Sequence, residues 1–184
     1  MPALPDTELG LTLLAHARRA LERHLRLTDD PFVDDERLAQ RAATFVTLKL
    51  HDELRGCIGS LRPQRALGED VALNAVAAAT RDTRFLPVAA DELNAIRIEV
   101  SLLSEPQFLE FADEVDLLRQ LRPGIDGLIL SGSCRSATFL PQVWEQLSEP
   151  REFVAALKRK AGLRPDHPIG TLLAATYTVC KWRE

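Results

Sequence analysis

Apolar and polar positions along the chain divide it into short helical and strand-like segments. Downstream of Asp6 and Thr7, either able to cap a helix, "ELGLTLLAHARRALERHL" places Leu9, Leu13, Ala17, Ala20, Leu21 and Leu25 on one side at helical spacing. Arg18, Arg19, Glu22 and Arg26 point the other way, so an amphipathic helix is predicted. His24 falls inside the apolar arc and reads as a packed histidine rather than a catalytic one. The acidic stretch "TDDPFVDDERLAQ" predicts a surface loop with a short turn.

Next, "ATFVTLKL", the turn "HDE" and "LRGCIGSL" predict a β-hairpin, its glycines marking a bulge or a close approach. A helix from about Pro63 through "QRALGEDVALNAVAAATRD" is apolar on nearly every side, which predicts burial. After the loop "TRFLPVAADEL", the segment "AIRIEVSLLS" reads as a strand. Ile96, Ile98, Val100 and Leu102 occupy one face, and Arg97, Glu99 and Ser101 the other, taken as solvent-facing.

The second half mixes elements without repeating the first. "ADEVDLLRQLRPGIDG" predicts a short helix ended by Pro123 and Gly124, then a turn at Asp126-Gly127. "GLILSGSCRSATFL" predicts two strands around a Gly/Ser turn, and Ser148 is positioned to cap a helix with Pro150 in its first turn. That helix runs to "KRKAG", where basic residues and Gly162 suit a C-terminus. "TLLAATYTVCKW" reads as one closing strand. Strands and helices do not alternate regularly, so the pattern predicts a single α+β domain over residues 1–184, largely antiparallel sheet with flanking helices.

Composition narrows the function classes. With 184 residues, 46% hydrophobic and 27% charged, the chain reads as a soluble globular protein. No apolar run is long enough to span a bilayer, and the first residues carry no secretory pattern, so a cytoplasmic protein is expected. A net charge of −4 with scattered basic residues disfavours a nucleic-acid binder. Cys57, Cys134 and Cys180 include no CxxC, and no histidine pair sits i, i+4, so no disulfide framework or metal site is predicted. Walker A, GxGxxG, GxSxG and HExxH patterns are absent, and no intrinsic cofactor motif is evident.

Two groups retain chemical interest. On a regular strand Arg55 and Cys57 leave the same face, and a cation beside a thiol promotes the thiolate. The competing reading, a structural cysteine between Gly56 and Gly59, is favoured because no histidine is placed as its base; His51 lies across the turn. In "TRDTRFLP", Arg81, Asp82, Arg84, Phe85 and Pro87 form either a binding rim or a basic helix C-terminus. Lys160 borders the apolar face of its helix.

"LRGCIGS" resembles the signature of the AMMECR-one domain family, known in prokaryotes as AmmeMemoRadiSam system protein A. "FVTL", "DTRFLPV", "IRIEVSLLS", "GIDGLIL", "ATFLPQVW" and "LKRKAGL" resemble further family blocks in the family's order, and the resemblance spans roughly Leu11 to Tyr177. It implies two unequal lobes with a groove between them, partly walled by the "LRGCIG" segment. It also implies a protein often encoded beside a radical SAM enzyme and a Memo-like protein, in a family whose activity is unsettled. Because no complete catalytic constellation can be assembled, the expected function is a soluble ligand- or partner-binding component that works with those two proteins. Carried over by position, the motif marks Leu54, Arg55, Gly56, Cys57, Ile58 and Gly59. The weaker blocks add Asp82, Arg84, Phe85, Pro87, Glu99, Ser101, Asp126, Gly127, Phe139, Pro141 and Lys160.

Two departures bear on local shape: "RPDHPIG" stands where many relatives carry a tryptophan, and Cys134-Arg135 occupy the turn before "ATFLPQV". The alternative function is an enzyme acting on a small anionic substrate in the groove. Arg55, Arg84 and Lys160 would bind the anion, Cys57 would act as nucleophile, and Glu99 or Asp82 would move the proton.

Overall fold

The computed structural model describes residues 6–132 and 135–184; Ser133 and Cys134, within the predicted Gly/Ser turn, lie outside the described residues. The chain divides into two compact units. One holds the chain up to Leu103 and the returning segment Cys180–Glu184, and the other holds Ser104–Val179. The fold is α+β, built on two antiparallel sheets.

In the first unit, α1 (Thr7–His24) starts at Asp6, whose carboxylate accepts from the N–H groups of Glu8 and Leu9. Strands β1 (Arg41–Leu50) and β2 (Glu53–Gly59) form the predicted hairpin. Its two-residue turn uses positive φ at His51 (52°) and Asp52 (66°), as the natural twist of a tight hairpin requires. The sheet order is β2-β1-β4-β9, with β4 at Ile96–Leu103 and β9 at Val179–Arg183; short β3 (Arg65–Ala66) pairs with the start of β1. Helix α2 (Leu67–Thr80) begins later than the sequence pattern suggests, because Arg65 and Ala66 are drawn into that pairing.

Leu13, Leu21, Val46, Leu48, Val71, Ile98 and Val100 make one core between α1, α2 and a single face of this sheet. The buried histidine is His16, stacked on Phe32 at 4.6 Å, whereas His24 is exposed in the last turn of α1. An offset of eight residues rotates the two histidines by nearly a quarter turn around the helix. Burial lowers the His16 pKa, with a bond to the Gly68 backbone opposing the shift.

The second unit has its own sheet, ordered β5-β8-β6-β7: β5 (Gln107–Leu109), β6 (Gly127–Gly132), β7 (Arg135–Phe139) and β8 (Leu173–Tyr177). The closing apolar run is therefore two strands in two sheets, β8 and β9, parted at Thr178. Helices α3 (Glu114–Gln120) and α4 (Pro150–Lys160) cover a core around Leu128, Leu130, Phe153 and Leu157. α4 has Pro150 in its first turn but is capped by Glu149 rather than Ser148, with no side-chain cap bond. Trp144 stacks on Phe153 at 3.7 Å, and its indole N–H donates to the Asp126 carbonyl at 2.7 Å.

Candidate functional site around the Leu54–Gly59 segment

The motif occupies the edge strand of the first sheet. Gly56 has no room for a side chain: a Cβ there would lie 2.1 Å from the Ala78 carbonyl oxygen of α2. At Gly59 a Cβ would meet the Phe45 ring at 2.2 Å. Glycine is thus required at Gly56 for close approach of strand and helix, at a negative φ that any residue could adopt.

Register explains where Arg55 goes. Leu48 pairs with Gly56 but Lys49 with Leu54, which makes Arg55 the extra residue of a β-bulge. The expectation that Arg55 and Cys57 share a face rests on unbroken alternation, and the bulge breaks it. Arg55 instead forms a bidentate pair with Glu92, both bonds 3.0 Å, and donates to the Leu86 carbonyl at 2.8 Å. Arg55 holds the Glu92 carboxyl below its usual range, helped by the Ala89 N–H.

The cation beside the motif's cysteine is Arg84, and it too is engaged. Asp82, buried after the end of α2, accepts from Arg84 Nε at 2.9 Å and Nη2 at 2.6 Å. The same carboxylate accepts the Cys57 backbone N–H at 2.8 Å, satisfying a donor on the outer edge of β2. Hydrogen bonding from Arg84 drives the Asp82 pKa far below the ordinary carboxylate value; burial opposes this and the Cys57 N–H adds to it. Phe85 lies under both guanidiniums, at 6.0 Å from Arg55 and 5.5 Å from Arg84. Leu86, next in the chain, is 83% exposed, and Leu54 is also exposed.

The half-buried Cys57 thiol accepts a hydrogen bond from Thr47 Oγ1 at 3.2 Å. Cys57, Thr47 and Glu99 are direct cross-strand partners, so they form one row across β2, β1 and β4. Glu99 and Ser101 are buried rather than solvent-facing. Glu99 pairs with Lys49 at 2.9 Å and Lys181 at 3.8 Å.

A polar knot fixes the far end of the motif. Buried Asp70 on α2 accepts from the Thr44 N–H and hydroxyl, the Ser60 hydroxyl at 2.6 Å, and Arg65. Asn74, one turn on, donates to Thr44 and Ser60. The sequence reading passes over Asp70, Asn74 and Glu92, whose spacing on an apolar helix and in a loop carries no motif.

The remaining candidates belong to the second unit. Asp126 is buried and paired with Arg122, Nη2 to Oδ1 being 2.6 Å, and Gly127 packs against the Tyr177 ring. Lys160 donates to the Thr138 carbonyl at 3.0 Å and lies 5.1 Å from the Phe139 ring centre. Pro141 opens a 3-10 turn. The buried lysine of α4 is Lys158, 0% exposed, bonded to Glu114 at 2.7 Å and to the Pro165 carbonyl. Among the described residues, no group of three or more His, Cys, Asp and Glu is arranged to hold a metal ion. No described helix is long and apolar enough to cross a membrane.

Fold and motif together define a two-unit α+β protein whose glycine-bearing edge strand is clamped to a helix and to two carboxylates. The family model AMMECR1 matches residues 14–182, and the chain belongs to that family. It is 39% identical to a protein of Methanothermobacter thermautotrophicus over 85% of this chain and 84% of the relative. A protein of Thermofilum pendens is 35% identical, over 88% and 82% respectively. The crystal structure of uncharacterized protein PH0010 from Pyrococcus horikoshii superposes with a TM-score of 0.81 at 32% identity, covering 96% of this chain and 92% of that one.

Proposed function

We propose that this AMMECR1 protein is a binding component that works with a radical SAM enzyme and a Memo-like protein, and that the edge of β2 is its docking face. One observation carries the reading. The two arginines nearest the motif are already neutralised by carboxylates, and Thr47 is the sole hydrogen-bond partner of the Cys57 thiol among the described residues. An activated cysteine needs a base or an uncommitted cation, and neither is in place. What the segment does offer a partner is a backbone clamped to α2 and, tied to it through Arg55, the exposed apolar side chain of Leu86.

Co-purification with the two neighbouring proteins tests this. Capture is expected for the wild type and for Cys57→Ser, and loss of capture for Leu86→Asp. Absence of association with either protein, or its loss on Cys57→Ser, would overturn the reading.

A second reading, an enzyme using Cys57 on a small anionic substrate, has one supporting observation: the Thr47 hydroxyl donates to the sulfur, an arrangement that stabilises a thiolate. It predicts that Cys57→Ser abolishes turnover while leaving association intact.

A further inference from the structure

At the other end of the β1–β4 ladder the first unit carries a cavity of about 290 Å³, lined by Lys49, Asp52, Arg97, Glu99, Arg183 and Glu184. Its charges are unevenly satisfied. Glu99 is paired with Lys49 and Lys181, and Glu184 receives Arg18 Nε at 3.1 Å and the Ile98 N–H at 3.0 Å. The lining carboxylates other than Asp52 are therefore engaged. The arginines are not. Arg97 reaches only Asp52, at 4.0 Å with both side chains exposed, and Arg183 has no carboxylate partner among the described residues.

Register adds a second observation. Lys49 and Arg97 are direct cross-strand partners; Glu99 neutralises Lys49, and Arg97 is left with only the 4.0 Å approach of exposed Asp52. Arg183 enters the same cavity from β9, the neighbour of β4. Lys49 is taken up by Glu99, so two open guanidinium forks remain at the hollow and suit an oxyanion, which each fork grips through paired N–H donors. The volume equals about ten water molecules, so the guest is small.

We propose that this cavity binds a small dianion, either a phosphate monoester or a dicarboxylate, between Arg97 and Arg183. The two proposed ligands, Arg97 and Arg183, lie on β4 and β9 rather than on β2, so the proposal stands whether or not the edge of β2 has a partner.

Calorimetric titration of the full chain at low ionic strength, with inorganic phosphate in one arm and succinate in the other, tests it. Saturable binding is expected in at least one arm, and chloride at matched ionic strength should not reproduce it. Binding in the phosphate arm alone assigns a phosphate guest, and binding in the succinate arm alone assigns a dicarboxylate. Binding in both assigns recognition of dianions by charge. Arg97→Gln and Arg183→Gln should each weaken binding by about ten-fold or more, the loss of one charge-assisted pair of hydrogen bonds. Both residues lie at the surface, so neither change should unfold the protein, and the exposed Arg62→Gln serves as the control. No saturable binding below about 10 mM in either arm, or affinity unchanged in both arginine variants, would overturn the proposal.

Discussion

Replacing Gly56 by alanine adds one methyl group, and the structure says where it would go. The new Cβ would lie 2.1 Å from the Ala78 carbonyl oxygen and 3.0 Å from its carbon, so strand and helix must separate by about 1 Å. Neither side can yield cheaply. Ala78 is buried backbone in α2, and that helix is tied to β1 and Ser60 through Asp70 and Asn74. β2 is held from outside by the bond between Asp82 and the Cys57 N–H. Overpacking against fixed backbone sits at the upper end of its usual range, about 3 kcal/mol. With a urea slope of about 2 kcal/mol/M, the midpoint of the first unit should fall by about 1.5 M. Trp182 reports on that unit, and a Trp144→Phe background silences the second one. Cys57→Ala should cost only about 1 kcal/mol in the same assay, and Gly59→Ala less than Gly56→Ala, because it meets the Phe45 side chain rather than backbone. A Gly56→Ala midpoint within about 0.3 M of wild type would refute the claim that the motif is required for backbone shape.

Acid unfolding should carry the signature of Asp82. Its folded-state pKa is depressed, mainly by Arg84, so its stabilisation is complete above the unfolded carboxylate value near 4 and drains away as pH falls below it. Asp82→Asn should therefore flatten the stability curve below about pH 4, as read from urea midpoints between about pH 2 and pH 5. Asp70→Ala should cost about 3 kcal/mol or more, because it leaves the Thr44 N–H and part of Arg65 without partners in a buried setting; a loss under about 1 kcal/mol in chemical denaturation would contradict the knot's role. Lys158→Met should stay within about 1 kcal/mol of wild type, since an apolar chain of similar length replaces a fully buried cation and the partly exposed Glu114 can return to water; thermal unfolding followed at Trp144 checks it.

Periodicity made α1, the β1–β2 hairpin and β4 legible, because each buries one face and the residues repeat at the spacing of that face. The features that reshape the site are those that interrupt a period. Glycines around Cys57 point to a bulge, but not to which residue is extra, and that single residue decides whether Arg55 faces the thiol or Glu92. Glu99 and Lys158 look solvent-facing or indifferent in a polar pattern, yet they are buried because opposite charges reach them from other elements. Thr178 sits inside an apolar run with nothing local to signal that the chain there passes from one sheet to the other. Asp82 stands in a readable block, but its bond to the Cys57 N–H joins residues 25 apart and depends on β2 being an edge strand.

The central claim is that the Leu54–Gly59 segment acts through its backbone and its exposed rim, not through a reactive thiol. The most direct test is the alkylation rate of Cys57 by iodoacetamide near neutral pH, followed by mass spectrometry of the peptide that contains it, in native and urea-unfolded protein. The account predicts a native rate at or below the unfolded rate. A native rate several-fold above it would contradict the account and establish Cys57 as an activated nucleophile.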